Sequence, residues 1–258
     1  MLRNHCLPSG LVALSVFGFA NLSLAADWGT LKGQFIDTAT VPAPKKLDIT
    51  KDQDVCTKDN PVDESIVVGK NNGLANVVVM LKPKLGEKVT VSEDALKALP
   101  AEVTLDNHGC RFQPHVVGMT TGQKLILKNS DPVGHNSKLE PFANAGSNPL
   151  IPAGQSVEQK FNVTENLPVK VTCSIHPWMN GWVVVRDNPY FAVSDADGKF
   201  EIKDIPTGEF DFVLWQEKGG YLKEIDLGGK KVTLDKGKLK QKIAAGANDL
   251  GEIKVDLK

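Results

Sequence analysis

The chain has almost no charge bias, with 30 Lys and Arg against 31 Asp and Glu and a formal net charge of −1 at pH 7. Balanced signs indicate neither a basic nucleic-acid face nor an acidic tail. The lysines after Lys218 are interleaved with Glu217, Glu224, Asp226 and Asp235, which reads as a solvated surface. Catalytic signatures are absent too. There is no Ser-His-Asp spacing, no HExxH and no Gly-rich phosphate loop. Apolar runs are short. The longest, residues 11–20, is too short to span a bilayer. With Arg3 ahead of it and Ser23 and Ala25 behind, residues 1–25 read as a secretory signal peptide. The mature protein is therefore expected to be exported, periplasmic or extracellular, with no transmembrane segment. Cys6 lies ahead of the apolar run, which argues against a lipid-anchored cysteine. Cleavage leaves Cys56, Cys110 and Cys173, and an odd count in an exported protein implies a free thiol or an intermolecular bridge.

Against these absences stands one dense constellation. Cys173-Ser-Ile-His176-Pro-Trp-Met179 packs a thiolate, an imidazole and a thioether into a single short loop. A centre that alternates between Cu(I) and Cu(II) needs a soft thiolate and two imidazoles in a trigonal set, with a thioether as weak axial ligand. Only the second histidine is missing. A distant strand should supply it, and His135 follows the apolar stretch 125–127 and its polar turn residues. Zinc is the competing metal, but its sites rarely use methionine.

Residues 100–187 resemble a cupredoxin, in the short-loop amicyanin- or plastocyanin-like form. The resemblance rests on Asn129, Asp131, His135 and Asn136, on the Cys173, His176 and Met179 spacing, and on the strand pair around Phe112-Gln113-Pro114 and Gly122-Gln123-Lys124-Leu125. It implies one type 1 copper per chain held by His135, Cys173, His176 and Met179. Asn136 is then expected to hydrogen-bond across to the cysteine loop and hold it shut. It also implies that His176 lies at an apolar surface patch, with Pro177, Trp178 and Pro132 around it, where a redox protein partner docks. With Cys173 taken by metal, Cys56 and Cys110 can pair, stapling a long polar loop for about 3–4 kcal/mol. A second metal site from His108, Cys110 and His115 is the rival, and an oxidising compartment favours the disulfide.

The rest of the chain is mostly strands and turns, so the expected class is all-β. Strands are expected at about 31–36, 75–81, 102–106, 112–119, 123–129, 135–140, 155–162, 167–173 and 181–187. Residues 37–65 read as loop. One short helix is expected at Ser92–Leu99, with Ser92 as its N-cap and Pro100 beyond its end. Past 187, residues 190–202 carry the Asp197-Gly198 turn of a hairpin, and 195–210, DADGKFEIKDIPTGEF, resemble the carboxypeptidase regulatory-like sandwich, of immunoglobulin or transthyretin type. That family's opening strands match 29–36 and 75–81, which precede the cupredoxin. The expected organisation is therefore a signal peptide over 1–25, N-terminal strands and loop over 26–99, a Greek-key cupredoxin over 100–187 and a second sandwich over 188–258. Either the cupredoxin is inserted into the second sandwich, which is the favoured reading, or the C-terminal sandwich stands alone.

Four ligands would fill the copper and leave no open position for a substrate. The expected function is a one-electron carrier and not an enzyme. Copper storage, or a structural or glycan-contacting envelope role with ancillary copper, are the alternatives.

Overall fold

The computed structural model describes residues 27–39, 43–84 and 86–257. The leader expected over 1–25, with Arg3 and Cys6, lies outside the described residues. No helix among the described residues is long and apolar enough to cross a membrane.

The architecture is all-β, and strand parity explains how its cores are built. Successive side chains in a strand point to opposite faces. In the first half of the molecule, one sheet runs Lys199–Pro206, Trp28–Asp37, Gly246–Val255, Glu224–Leu227 and Lys230–Thr233. Its partner runs Phe191–Val193, Val78–Lys82, Gly208–Gln216 and Gly220–Tyr221, with Lys238–Ile243 also paired to Gly208–Gln216. Leu31 and Phe35 meet Val79, Leu81, Phe212 and Leu214 between them. The N-terminal strand thus lies antiparallel to Lys199–Pro206 and parallel to Gly246–Val255, far along the chain.

In the second half, Ser156–Lys160, Lys124–Asn129, Glu102–His108 and Arg111–Gln113 form one sheet. Val116–Thr120, Asn180–Arg186, Val169–Thr172 and Lys138–Glu140 form the other. Leu105, Phe112, Leu125, Leu127, Val171, Val183 and Val185 fill the space between. Ile49 and Val55, from the polar segment before residue 65, pack against this same core.

A third apolar cluster joins the halves. Val78, Met80, Val213 and Trp215 on one side meet Val116 and Val184 on the other. The unbroken apolar run at 77–81 follows from this. Val79 and Leu81 face the first core while Val78 and Met80 face the joint, so both faces of the strand are buried. Val183, Val184 and Val185 divide in the same way. Trp182 and Trp215 close the joint edge to face, with ring centroids 4.9 Å apart.

Four local expectations change. The run 112–119 is two strands, Arg111–Gln113 and Val116–Thr120, in different sheets. Pro114 lies at the break and has no N–H to continue a ladder. The run 135–140 divides between His135–Asn136, paired with Leu150–Ile151, and Lys138–Glu140, which joins the larger sheet. The Asp-Gly turn forms, with the Gly198 N–H donating to the Asp195 carbonyl at 2.9 Å, but it is no hairpin. Phe191–Val193 pairs with Val78–Lys82, and Lys199–Pro206 with Trp28–Asp37, so the turn crosses between sheets. Finally, the expected helix is present as Glu93–Lys97, capped by the Ser92 side chain accepting from the Ala95 N–H at 2.9 Å, but a second one, Gln53–Cys56, interrupts the presumed loop. Four residues are too few to carry a helical period.

Trp215, at 4 % exposure, is the largest buried side chain in the joint. Trp215→Ala should cost about 3–5 kcal/mol of stability in chemical denaturation. A cost near zero would mean that the two halves do not rely on this contact.

Candidate metal centre

The loop that carries three of the expected ligands closes between neighbouring strands. Val169–Thr172 and Asn180–Arg186 run antiparallel, with Thr172 opposite Asn180. Residues 173–179 must therefore turn back on themselves within one strand spacing, and the Met179 N–H donates to the His176 carbonyl at 3.0 Å. His135 reaches the same place from the short strand His135–Asn136. Asn136 ties the two pieces together. Its Oδ1 accepts the N–H groups of Ser174 at 2.9 Å and Ile175 at 3.2 Å, and its own N–H points at the Cys173 sulfur at 3.5 Å.

The side chains converge. His135 Nδ1 lies 2.9 Å from His176 Nδ1, and Cys173 Sγ lies 4.0 Å from the first and 3.7 Å from the second. Neither histidine has exposed surface, and Cys173 is 2 % exposed. The outer ring nitrogens are engaged as well. His135 Nε2 lies 2.9 Å from an Asp131 carboxylate oxygen, and His176 Nε2 lies 2.8 Å from one of Asp52. A carboxylate accepts only, so each Nε2 carries the hydrogen and donates. Each Nδ1 in the neutral ring is then a lone pair, and two lone pairs facing each other need a cation between them. These residues fit a metal ion that accepts two imidazoles and a thiolate. Met179 is buried at 1 % exposure in the same apolar core as Cys173.

The ionisation of the metal-free cluster follows the same geometry. Burial opposes charge on His135, but the Asp131 carboxylate and Cys173 outweigh it and hold its pKa up at about 9. Burial pulls His176 below its ordinary value; Asp52 opposes this and the charge on His135 adds to it. Burial would raise the Cys173 thiol, yet hydrogen bonds from His135 and from the Asn136, His176 and Ile175 backbone bring it below the ordinary range. Of the two rings, His135 is the one that holds a proton more readily, because its carboxylate and thiol partners outweigh burial, while burial prevails at His176.

Other expected positions lie apart. Cys56 and Cys110 form a disulfide, which removes Cys110 from the rival site with His108 and His115. His108 is exposed, 4.0 Å from Asp131. His115 instead bonds Glu217 at 2.5 Å, across the joint between the halves. A grouping of Cys110, Asp131 and His135 shares His135 with the main cluster and includes a disulfide sulfur, so it is no independent site. His176 departs from expectation: it is covered, not presented at a surface patch, although Pro177 is exposed and Trp178 half-buried beside it. The two aspartates were not expected as partners of the ligands. Asp131 stands four residues before His135, close enough to be read as its partner, whereas Asp52 is 124 residues from His176 and no local pattern points to it.

No family model matches the sequence, and no curated protein matches it. Among solved structures, a reduced Cu(I) form of an amicyanin variant is 18% identical, covering 42% of this chain and 98% of that one, at a TM-score of 0.30. A Cu-containing nitrite reductase from Thermus scotoductus is 26% identical over 41% of this chain and 26% of that one, at 0.31. A purple cupredoxin from Nitrosopumilus maritimus is 24% identical over 33% of this chain and 99% of that one, at 0.28. At such TM-scores the likenesses carry nothing over to this chain, whose site has to be read from its own residues.

Since the His135 pKa is raised from 6.5 to about 9, its protonation contributes stability that is full below about pH 6.5 and lost as pH rises through about 9. The urea midpoint of the metal-free protein should therefore fall over that window. Asp131→Asn should flatten the fall, since the carboxylate that holds the proton is gone. Parallel profiles for the two proteins would show that Asp131 does not set this titration.

Proposed function

We propose that the chain is an exported blue copper protein that carries one electron at a time, with one type 1 copper held by His135, Cys173, His176 and Met179. The observation that carries this reading is the meeting of two imidazole lone pairs beside a buried cysteine of lowered pKa, with both outer nitrogens already occupied by carboxylates. Copper bound there would alternate between Cu(I) and Cu(II). Everything else is the work of the protein. Burial excludes water and substrate, Asn136 holds the cysteine loop closed, and the paired strands keep the donors in place, so little has to move when the charge changes. We further propose that the cupredoxin unit, about residues 100–187, is inserted into the second sandwich. The pairing of Trp28–Asp37 with Lys199–Pro206 and of Val78–Lys82 with Gly208–Gln216 supports this, because those partners lie on either side of the inserted segment.

One observation favours copper storage as the second reading. The His176 edge is covered by Asp52, and a carrier that exchanges electrons rapidly gains from an exposed ligand edge.

The protein loaded with Cu(II) should bind one copper per chain, absorb intensely in the visible, and lose its colour on reduction. Cys173→Ser should remove the colour and leave both sandwiches folded. One bound copper without strong colour would overturn the trigonal thiolate site. Fast self-exchange would then support the carrier, whereas ready release of Cu(I) to a chelator would support storage.

A further inference from the structure

The cover over His176 is built, and its construction points to a role. Asp52 sits at the N-terminus of the Gln53–Cys56 turn with φ 48° and ψ 42°, a left-handed conformation in which Asp is among the better tolerated residues. Its carbonyl accepts the N–H groups of Val55 at 3.0 Å and Cys56 at 2.9 Å. The side chain is thereby held at a set distance from a cysteine that is itself buried and covalently fixed to Cys110. The other end of the disulfide has the matching arrangement. The N–H groups of Gly109 and Cys110 donate to Asp131 at 2.7 and 2.9 Å, and Asp131 holds His135. The Cys110 carbonyl also accepts from Trp178 Nε1 at 3.2 Å, and the Trp178 ring lies 5.1 Å from the His176 ring. One disulfide therefore anchors, at its two ends, the two carboxylates that hold the two facing histidines.

We propose that Asp52 is a positioning residue for His176, fixed by the Cys56–Cys110 disulfide, that sets the preference of the centre for Cu(II) over Cu(I). This rests on the copper reading above. A carboxylate that accepts the Nε2 hydrogen fixes the tautomer, turns Nδ1 toward the cluster and makes the ring a more basic ligand. A more basic ligand favours the more highly charged ion. The staple, with Ile49 and Val55 packed on the same core, brings this carboxylate to a ring 124 residues away along the chain.

Two measurements on the full mature chain test this, with Asp52→Asn and Asp52→Glu compared to the wild type. In the metal-free protein above about pH 9, where His135 has lost its proton and no longer donates to His176 Nδ1, nitrogen NMR should find His176 as the Nε2–H tautomer in the wild type and as a mixture in Asp52→Asn. In the copper-loaded protein, Asp52→Asn should lose about tenfold in Cu(II) affinity relative to Cu(I), by analogy with the usual loss of outer-shell partners. That ratio is a rise of about 59 mV in a one-electron potential. Asp52→Glu, which keeps the charge, should return most of the shift, and Cys56→Ser paired with Cys110→Ser should reproduce the Asn effect. An Asp52→Asn protein that stays blue with an unchanged potential and an unchanged tautomer overturns the proposal. If the wild type takes up no copper, the copper reading fails instead, and the metal-free tautomer still decides whether Asp52 positions His176.

Discussion

Two imidazole nitrogens, 2.9 Å apart with their lone pairs facing, form an arrangement that no chain holds without compensation. Left to itself each ring would turn its Nδ1 toward water or a donor. Here the outer nitrogens are tied to Asp131 and Asp52, the rings are fully buried, and Cys173 lies beside both. What relieves the arrangement is positive charge: a proton or, under the proposed function, a metal ion. Much of the second core can be read as the support for this demand: paired strands close the cysteine loop, Asn136 spans it, and the disulfide brings in the remote carboxylate.

The same support explains how residues 43–65, a polar segment, come to lie against the second core. Such a segment has little apolar area to repay its conformational entropy. Ile49 and Val55 supply some, and the disulfide reduces the freedom of the unfolded chain. Asp52 adds a hydrogen bond to a buried ring. Together these turn what reads as a loop into a cover for the centre.

The joint between the two halves has a different character. It is apolar, formed by alternate residues of strands whose other faces fill the two main cores. A strand such as Val78–Lys82 cannot leave one core without emptying the other, so the halves are coupled through shared strands as well as through contact. His115 and Glu217 add a polar link across the same boundary.

The all-β class, the helix behind Ser92 and the cysteine loop were legible because each depends on local chemistry: strand parity, a capping hydroxyl, and soft donors at short spacing. Ser92 does cap the helix, and Cys173, His135 and His176 do come together. Boundaries inside strands were less legible. Nothing in residues 112–119 or 135–140 announces which sheet each part joins, since that depends on partners far along the chain. The disulfide could be anticipated from cysteine parity once the copper reading took Cys173, but not its consequence. The set of donors could be read from the residues alone, because chemical identity is local. Which faces those donors present was decided by tertiary structure alone: the covering of His176 by Asp52 needs a chain closure over more than a hundred residues, and such closures leave no trace in local pattern.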